Sequence, residues 1–200
     1  MSSASLSFRY QRALALRSSN QARARKVATV VYSWALENDT ATHAQIDAYV
    51  RAGNMLAAAG ARGAEMSEAL FLDACEIVLD TRHYRRAWAS FGVDWTAIPQ
   101  AMVELLGGTL GVFTPEEVRG WTNEHYTPTF EYMAELHIRL MHIHPLPDGN
   151  GRMGRLLWEW AAARAGLRAP MLRTCDRAEY KRAVARKDVE KLAALLARRA

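Results

Sequence analysis

The 200-residue sequence lacks several features that would place it in well-known protein classes. It has only two cysteines, Cys75 and Cys175, at a separation that fits no metal-binding or redox motif, so free thiols in a reducing compartment are the simplest interpretation. No apolar run approaches the roughly 18 residues that a membrane span needs. The N-terminus has no apolar segment like that of a secretory signal. We therefore expect a cytoplasmic protein without a membrane partner, and the sequence leaves open a later export into a host cell.

The sequence has a modest excess of positive charge. The chain carries 26 Lys and Arg against 21 Asp and Glu, which gives a net charge of +5. A basic surface is typical of nucleic-acid-binding proteins. Here the basic residues are scattered along helical patterns close to acids, so we interpret them as a solvated surface and do not expect nucleic acid as a partner. Residues 1–26 are rich in Ser and Arg and are interpreted as a basic segment or helix that precedes the domain.

Apolar residues recur mainly at helical spacing, which predicts an all-α protein. Thr40 or Thr42 would cap the second helix. The stretch RAWASFGVDWTAIP lacks this spacing, and its alternating bulky residues predict a short hairpin or an extended loop. Helical patterning returns in PQAMVELL and TPEEVRGW. The remaining predicted helices cover residues 27–38, 65–80, 130–144, 150–166, 176–185 and 187–198.

The stretch HPLPDGNGRMGR, residues 144–155, interrupts the helical pattern between two predicted helices. Gly149 and Gly151 permit close approach of the backbone, and the N–H groups of such a turn at a helix N-terminus attract anions. Arg152 and Arg155 are three residues apart and share one helical face, where their guanidinium groups suit phosphate. The stretch predicts a phosphate-binding loop, although it contains no Walker sequence.

Two titratable side chains flank this loop. The Asp148 carboxylate stands beside the predicted phosphate site, where such a group commonly holds a divalent cation, most often Mg²⁺. His144 ends the preceding helix, and an imidazole there would accept a proton from an incoming hydroxyl near neutral pH. Together the residues predict a nucleotide phosphate held by glycine and arginine, a metal on Asp148 and a base at His144.

The same twelve residues resemble the Fic family motif, HPFx(D/E)GNGRxxR, with Leu146 in place of phenylalanine. The resemblance covers about residues 27–197. It implies the all-α Fic fold, a bundle of about eight helices with a short β-hairpin flap near the active site. The family transfers a nucleotide monophosphate, usually AMP from ATP, to a Ser, Thr or Tyr hydroxyl of a target protein. The resemblance therefore implies ATP as substrate, Mg²⁺ as cofactor and a protein partner, and it leaves a homodimer open.

The resemblance also implies a role for each residue that matches the family. His144 would deprotonate the target hydroxyl, and Asp148 would hold Mg²⁺. Tyr180 would lie near the adenine or pack in the core. The phosphates would be bound by the loop and its arginines, namely Asp148, Gly149, Asn150, Gly151, Arg152 and Arg155. The flap would dock the target by strand addition through Phe91, Gly92, Val93 and Asp94.

Residues 33–38, SWALEN, fit a second pattern, [S/T]xxxE[G/N], which self-inhibited Fic proteins carry on an N-terminal helix. Glu37 is expected at the helix C-terminus, where a negative charge is disfavoured by about 0.3–1 kcal/mol. The resemblance predicts that Glu37 pairs with Arg155, so that ATP binds in an unproductive pose. Ser33 would orient the helix or the carboxylate. In some relatives the same glutamate supports removal of AMP from the target.

Other interpretations stay open at this point. The chain would instead be a nucleotide-binding regulator without transferase activity, an enzyme that transfers a different nucleotide, or a basic nucleic-acid-binding domain. A metal-binding helical protein would use His137, His142 and His144. These three cannot share one helix face because His142 is rotated away from the other two, so His137 is interpreted as a packed core histidine.

Overall fold

The computed structural model describes residues 21–37, 39–107 and 127–200. Within these residues the chain forms eight α-helices, two short 3-10 turns and no β-strand, which confirms the all-α prediction. The helix predicted from TPEEVRGW and residues 1–20 of the basic segment lie outside the described residues. No helix in the described ranges is long and apolar enough to cross a bilayer. The helices are α1 Gln21–Ala35, α2 His43–Ala61, α3 Glu68–Leu79, α4 Ile98–Gly107, α5 Thr127–Ile143, α6 Asn150–Arg164, α7 Arg177–Arg186 and α8 Val189–Ala197.

Local sequence signals set several helix ends. The Thr42 hydroxyl accepts from the Gln45 N–H, and the Gln45 side chain accepts from the Thr42 N–H, so this capping box starts α2. Ser67 caps α3 by accepting from the Leu70 N–H at 3.2 Å. Helix α1 begins at Gln21, earlier than the boundary at residue 27 that apolar spacing predicted. The longest predicted stripe is α5, which ends one residue before His144.

Helix α6 lies at the centre of the bundle. It packs against α2 and α5, and α8 packs along α5. Its residues from Asn150 to Trp158 are all buried, including Arg152 and Arg155. Because a helix surrounded by others presents no free face to water, polar side chains on it must find partners inside the protein. The first turn of α6 therefore carries its charged groups into a packed interior, and α1 supplies part of what they contact.

The stretch RAWASFGVDWTAIP, predicted as a short hairpin or an extended loop, forms no β-strand, so the hairpin is wrong. This segment forms bends that lead into the 3-10 turn Trp95–Ala97. The Arg85 guanidinium donates to the carbonyl oxygens of Ala87 and Val93, and these are acceptors that a strand ladder would need. Arg85 is not part of the alternating pattern. The pattern therefore could not show that the Arg85 side chain would bind the carbonyl groups needed for strand pairing. We refer to residues 88–94 as the flap segment.

Candidate active site

The loop between α5 and α6 combines two left-handed backbone positions. His144 has a φ of 52° and Gly149 a φ of 79°. A Cβ on Gly149 would lie 2.6 Å from Cδ2 of Leu79, so both conformation and space favour glycine. Gly149 occupies the N-cap position of α6 and has no side chain to offer. The N–H groups of the first turn of α6 are therefore left for another acceptor, such as an anion.

Asn150 fixes the shape of this loop. Its Oδ1 accepts from the Leu146 N–H at 2.9 Å, and its Nδ2 donates to the Leu146 carbonyl at 2.8 Å. The Leu146 side chain is fully buried, so leucine anchors the loop in the core at the family's phenylalanine position. Both polar atoms of the Asn150 side chain are hydrogen-bonded to the Leu146 backbone. The phosphate contact predicted for Asn150 would therefore come from its backbone N–H.

A cleft of about 560 Å³ opens beside the loop, a volume typical of small-molecule sites. Sequence-predicted residues from four separate parts of the chain meet in its wall. These are Glu37, Phe91, His144, Asp148, Gly149, Asn150, Gly151, Arg155 and Tyr180. Residues that the sequence did not single out complete the wall, namely Leu36, Met141, Pro147, Lys181, Val184 and Ala185.

Glu37 reaches the cleft from the turn that follows α1. Its Oε1 lies 2.5 Å from Nη2 of Arg155, and its Oε2 lies 3.6 Å from Nε of Arg152. The structure thus contains the ion pair that the resemblance predicted between Glu37 and Arg155. A Cβ on Gly151 would lie 2.6 Å from Oε1 of Glu37, so the absence of a side chain at this position makes room for the carboxylate.

The Arg155 guanidinium is buried and held from several sides. Its Nε donates to Oγ of Ser33 at 2.7 Å, its Nη2 donates to the Ser33 carbonyl at 3.0 Å, and its Nη1 donates to Oη of Tyr180 at 3.1 Å. Burial opposes its charge, but Tyr180 and Glu37 outweigh this effect and raise the pKa of Arg155. Ser33 therefore holds the arginine. That Ser33 orients the helix or the Glu37 carboxylate stays a prediction.

Tyr180 connects Arg155 to the core. Its hydroxyl lies 2.8 Å from Nε2 of His137, and its side chain also lines the cleft. His137 is fully buried, with its ring centroid 4.8 Å from that of Trp158. Burial, followed by the charge of Arg155, lowers the pKa of His137 to about 3, so the ring stays neutral. His137 is the packed core histidine that the sequence predicted, whereas the Tyr180 hydroxyl is engaged by protein groups.

The metal-binding alternative finds no support in the histidines. Nδ1 of His142 is hydrogen-bonded to the Ile138 carbonyl at 2.8 Å on its own helix. In the three described ranges, no group of three or more His, Cys, Asp or Glu side chains is arranged to hold a metal ion.

Arg152 and Asp148 form an ion pair at the base of the loop. Arg152 is buried, and its guanidinium carbon lies 5.1 Å from the ring centroid of Trp34. The Asp148 side chain is 85% exposed at the edge of the cleft. Carboxylate oxygens that face water suit Mg²⁺, which keeps several water ligands and binds few protein groups. Asp148 therefore fits the metal-holding role, while Arg152 lies behind the loop.

His144 stands at the mouth of the cleft. Its ring meets that of Phe91 edge-on, with centroids 4.3 Å apart. Partial burial lowers the pKa of His144, and the charge of Arg85 acts in the same direction, whereas a backbone contact with Met141 and the charge of Asp148 oppose them. A lowered pKa keeps the imidazole neutral at pH 7, which is the form that accepts a proton.

The flap segment covers one side of His144. The Val93 N–H donates to the Ile143 carbonyl at 3.3 Å, and the Val93 carbonyl accepts from Arg85. Both backbone groups of Val93 are therefore bonded within the chain, so strand addition at this residue is not supported. Asp94 caps the following 3-10 turn by accepting from the Thr96 N–H at 2.9 Å. Phe91 is exposed and lies on His144.

Three charged side chains at the site were not predicted. Arg85 is buried and donates from Nε to the His144 carbonyl at 2.8 Å. Arg177 donates from Nε to the Leu36 carbonyl at 2.9 Å, next to Glu37. Lys181 lines the cleft with Val184 and Ala185. Their i, i+3, i+4 spacing on α7 was the one signal in the sequence that could have identified this wall.

Comparison with known proteins agrees with this geometry. Residues 82–162 match the Fic/DOC family, and they include the flap segment, α5, the loop and most of α6. The chain is thus similar to Fic/DOC proteins over 81 of its 200 residues. Its fold is also that of solved Fic structures. A Fic-domain signaling protein from Bacteroides thetaiotaomicron matches with a TM-score of 0.68 at 16% identity, over 90% of this chain and 85% of that one. Caenorhabditis elegans Fic-1 matches with a TM-score of 0.68 at 18% identity, over 96% and 66%.

Sequence relatives match this chain over shorter stretches. The protein adenylyltransferase Fic of Drosophila melanogaster is 38% identical over 63 residues, which are 30% of this chain and 13% of that protein. A uridine 5′-monophosphate transferase of Xanthomonas campestris is 51% identical over 37 residues, 18% of this chain and 7% of that protein. The aligned stretches are thus small fractions of these longer relatives.

Proposed function

We propose that this Fic domain transfers a nucleoside monophosphate, with AMP as the first candidate, from a nucleoside triphosphate to a hydroxyl of a target protein. The observation that carries the proposal is the convergence of three functional groups on one cleft. These groups are the His144 imidazole, the uncapped N-terminus of α6 and the Arg155 guanidinium. A base beside an anion site is what phosphoryl-type transfer requires from a protein.

The reaction follows from the position of each group. The target hydroxyl oxygen forms a bond to the α-phosphorus, the bond from that phosphorus to the bridging oxygen breaks, and pyrophosphate leaves. His144 takes the hydroxyl proton, since its neutral imidazole lines the cleft. The N–H groups at the start of α6 stabilise negative charge on the phosphates, and Arg155 binds the terminal phosphate once Glu37 has moved away.

Asp148 is the residue that would hold Mg²⁺, because its exposed carboxylate stands at the cleft edge. When bound, the ion would neutralise charge on the phosphate oxygens of the substrate. Arg152, which is ion-paired with Asp148, keeps this carboxylate beside the loop.

The conformation described here supports a self-inhibited enzyme. Arg155 is the charged group that a terminal phosphate would need, and Glu37 occupies it through a 2.5 Å ion pair. A carboxylate and a phosphate cannot both accept from the same N–H group of Nη2. Nucleotide would therefore bind in competition with Glu37 or in a pose that lacks Arg155. Removal of AMP from a modified target, with Glu37 acting on water, is a further activity of the same site to be tested.

Exposed aromatic residues support a macromolecular acceptor. Trp88 is 80% exposed and Phe91 is 60% exposed, and both lie on the flap segment, where Phe91 contacts the His144 ring. Large exposed aromatic side chains are enriched at protein interfaces. We therefore place the target protein on this surface, with its acceptor hydroxyl directed towards His144.

The first test is intact mass spectrometry of three purified proteins incubated with Mg²⁺ and ATP, UTP, GTP or CTP in turn. These proteins are wild type, Glu37→Gly and the Glu37→Gly/His144→Ala double variant. We expect a nucleotide adduct on Glu37→Gly alone. An adduct from UTP in preference to ATP would favour UMP transfer, the second candidate that the Xanthomonas relative supports.

Self-modification is not obligatory, so a second arm uses protein acceptors. Each variant is incubated with a cell lysate and α-labelled nucleotide, and labelled protein bands are counted. Label that requires His144 supports the proposed transfer. If neither arm shows His144-dependent label, the chain is a nucleotide-binding regulator instead, and calorimetric titration with ATP would then show binding without turnover.

A further inference from the structure

Among the described residues, Arg85 is one of the few buried charged side chains outside the motif, with 6% of its surface exposed. Its guanidinium donates to three backbone oxygens, those of His144 at 2.8 Å, Ala87 at 2.7 Å and Val93. The Arg85 N–H also donates to the Pro145 carbonyl at 2.8 Å. Two consecutive carbonyl groups of the catalytic loop thus accept from one residue.

These bonds act on an unusual piece of backbone. His144 adopts a left-handed φ of 52°, which residues other than glycine rarely do. The His144 N–H is bonded to the Leu140 carbonyl at 2.9 Å, and Arg85 holds the carbonyl on the other side. Backbone conformations of this kind persist where surrounding contacts over-determine them. Arg85 supplies these contacts on the C-terminal side of His144, through the carbonyl groups of His144 and Pro145.

The same guanidinium fixes the flap segment. Gly92, with a φ of 99°, lies so close that an added Cβ would be 2.8 Å from Cβ of His144 and 3.0 Å from Nη2 of Arg85. Phe91, the residue before it, contacts the His144 ring. The flap segment, the guanidinium and the base are therefore one packed unit.

We propose that Arg85 is the positioning residue for His144, and that it couples the base to the flap segment on which the target docks. Displacement of the flap segment pulls on the Val93 carbonyl, and the rigid guanidinium transmits that displacement to the His144 carbonyl. As a statement about turnover, this inference rests on the proposed function. As a statement about the position and environment of His144, it does not.

Electrostatics gives an independent readout. The charged groups that act on His144 are Arg85, which lowers its pKa, and Asp148, which raises it. Replacing Arg85 by a neutral side chain removes the lowering contribution, so the imidazole would titrate at higher pH. A lysine would keep the charge but not the planar fork that reaches several carbonyls at once.

The experiment compares Arg85→Met, Arg85→Lys and the control Arg86→Met, each in the Glu37→Gly background. Arg86 is the exposed neighbour of Arg85. NMR follows the His144 imidazole titration, assigned by its loss in His144→Ala, and the hydrogen exchange of the Val93 amide. We expect Arg85→Met to raise the titration midpoint and to speed the exchange. Arg85→Lys should speed the exchange with little change in the midpoint, and Arg86→Met should change neither.

Turnover is measured on the same proteins. We expect kcat to fall about 10²-fold in Arg85→Met, the size that a displacement of about 1 Å produces, with KM for the nucleotide unchanged. If the NMR readouts move but no variant transfers a nucleotide, the positioning role stands and the proposed function fails. An unchanged titration and unchanged exchange in Arg85→Met would overturn the inference. If Arg85→Met does not fold, Arg85→Lys tests the inference: faster exchange of the Val93 amide supports it, and unchanged exchange overturns it.

Discussion

Arg177 donates from Nε to the carbonyl oxygen of Leu36 at 2.9 Å, a contact between residues 141 positions apart in the chain. Leu36 directly precedes Glu37, so the bond fixes the turn that presents the Glu37 carboxylate to Arg155. The turn after α1 is therefore held by a side chain of α7 as well as by the ion pair itself. Loosening this turn should weaken the block on Arg155 without touching the groups that carry out transfer.

We predict that Arg177→Ala raises basal nucleotide transfer, though less than Glu37→Gly does, because the Glu37 carboxylate remains present. His144-dependent incorporation of labelled nucleotide measures this directly. Arg182→Ala is the matched control, since Arg182 lies on the same helix and its hydrogen bond within the described residues is local, to the Ala178 carbonyl. If Arg177→Ala equals wild type while Glu37→Gly is active, the turn does not depend on Arg177.

A second prediction concerns Gly151, where an added methyl group would lie 2.6 Å from Oε1 of Glu37. Gly151→Ala should destabilise the wild type more than it destabilises Glu37→Gly, which lacks that oxygen. We expect a coupling free energy on the order of 1 kcal/mol, as is usual for residues in contact. Urea unfolding of the four proteins gives the value. An equal loss in both backgrounds would show that the methyl group is accommodated elsewhere.

A third prediction tests the anchor of the loop. Leu146 is fully buried, so Leu146→Ala should lower the free energy of unfolding by about 2–5 kcal/mol, as buried leucines generally do. Val103, which is 54% exposed, provides the control, and Val103→Ala should change the value by less than about 0.5 kcal/mol. A small effect of Leu146→Ala would mean that the loop keeps its position through the Asn150 bonds alone.

The buried His137 predicts a dependence of stability on pH. Its pKa is about 3 in the folded protein, whereas in the unfolded chain it returns to the ordinary value near 6.5. Between these two pH values the unfolded state binds more protons at this residue. The free energy of unfolding should therefore fall as the pH drops from about 6.5 towards 3, by up to about 4 kcal/mol.

His137→Gln removes this titration and should show a smaller decline over the same pH range. Carboxylates that titrate there are common to both proteins and cancel in the difference between the two curves. Chemical unfolding at a series of pH values measures that difference. Parallel curves would mean that His137 does not stay neutral in the folded protein.

The helices and the phosphate-binding loop could be predicted because their information is local. The apolar stripe of α5 repeats within one segment, and the residues from His144 to Arg155 are contiguous, so chemistry and spacing can be inferred together. The contact between Glu37 and Arg155 joins residues 118 positions apart, and only the family resemblance predicted it.

Contacts that end on backbone oxygens could not be predicted. Arg85 and Arg177 bind carbonyl groups, which every residue possesses, so their partners leave no pattern in the sequence. The same limitation explains the hairpin, since Arg85 takes the acceptors that its strands would have used. Asn150 shows a related difficulty. Its place in the motif suggested an anion ligand, while its side chain is engaged by Leu146.

The N–H groups of Arg155 determine what the site offers an anion once Glu37 leaves. The guanidinium has five N–H groups, and within the described residues Ser33 takes two, Tyr180 one and Glu37 one. Without Glu37, one hydrogen on Nη1 and one on Nη2 are unclaimed, and together they match two oxygens of a tetrahedral anion. The three remaining hydrogen bonds, two to Ser33 and one to Tyr180, hold the guanidinium plane in its orientation. The exchange of carboxylate for phosphate therefore requires no rotation of the arginine, and the receptor for the anion is already assembled while it is blocked.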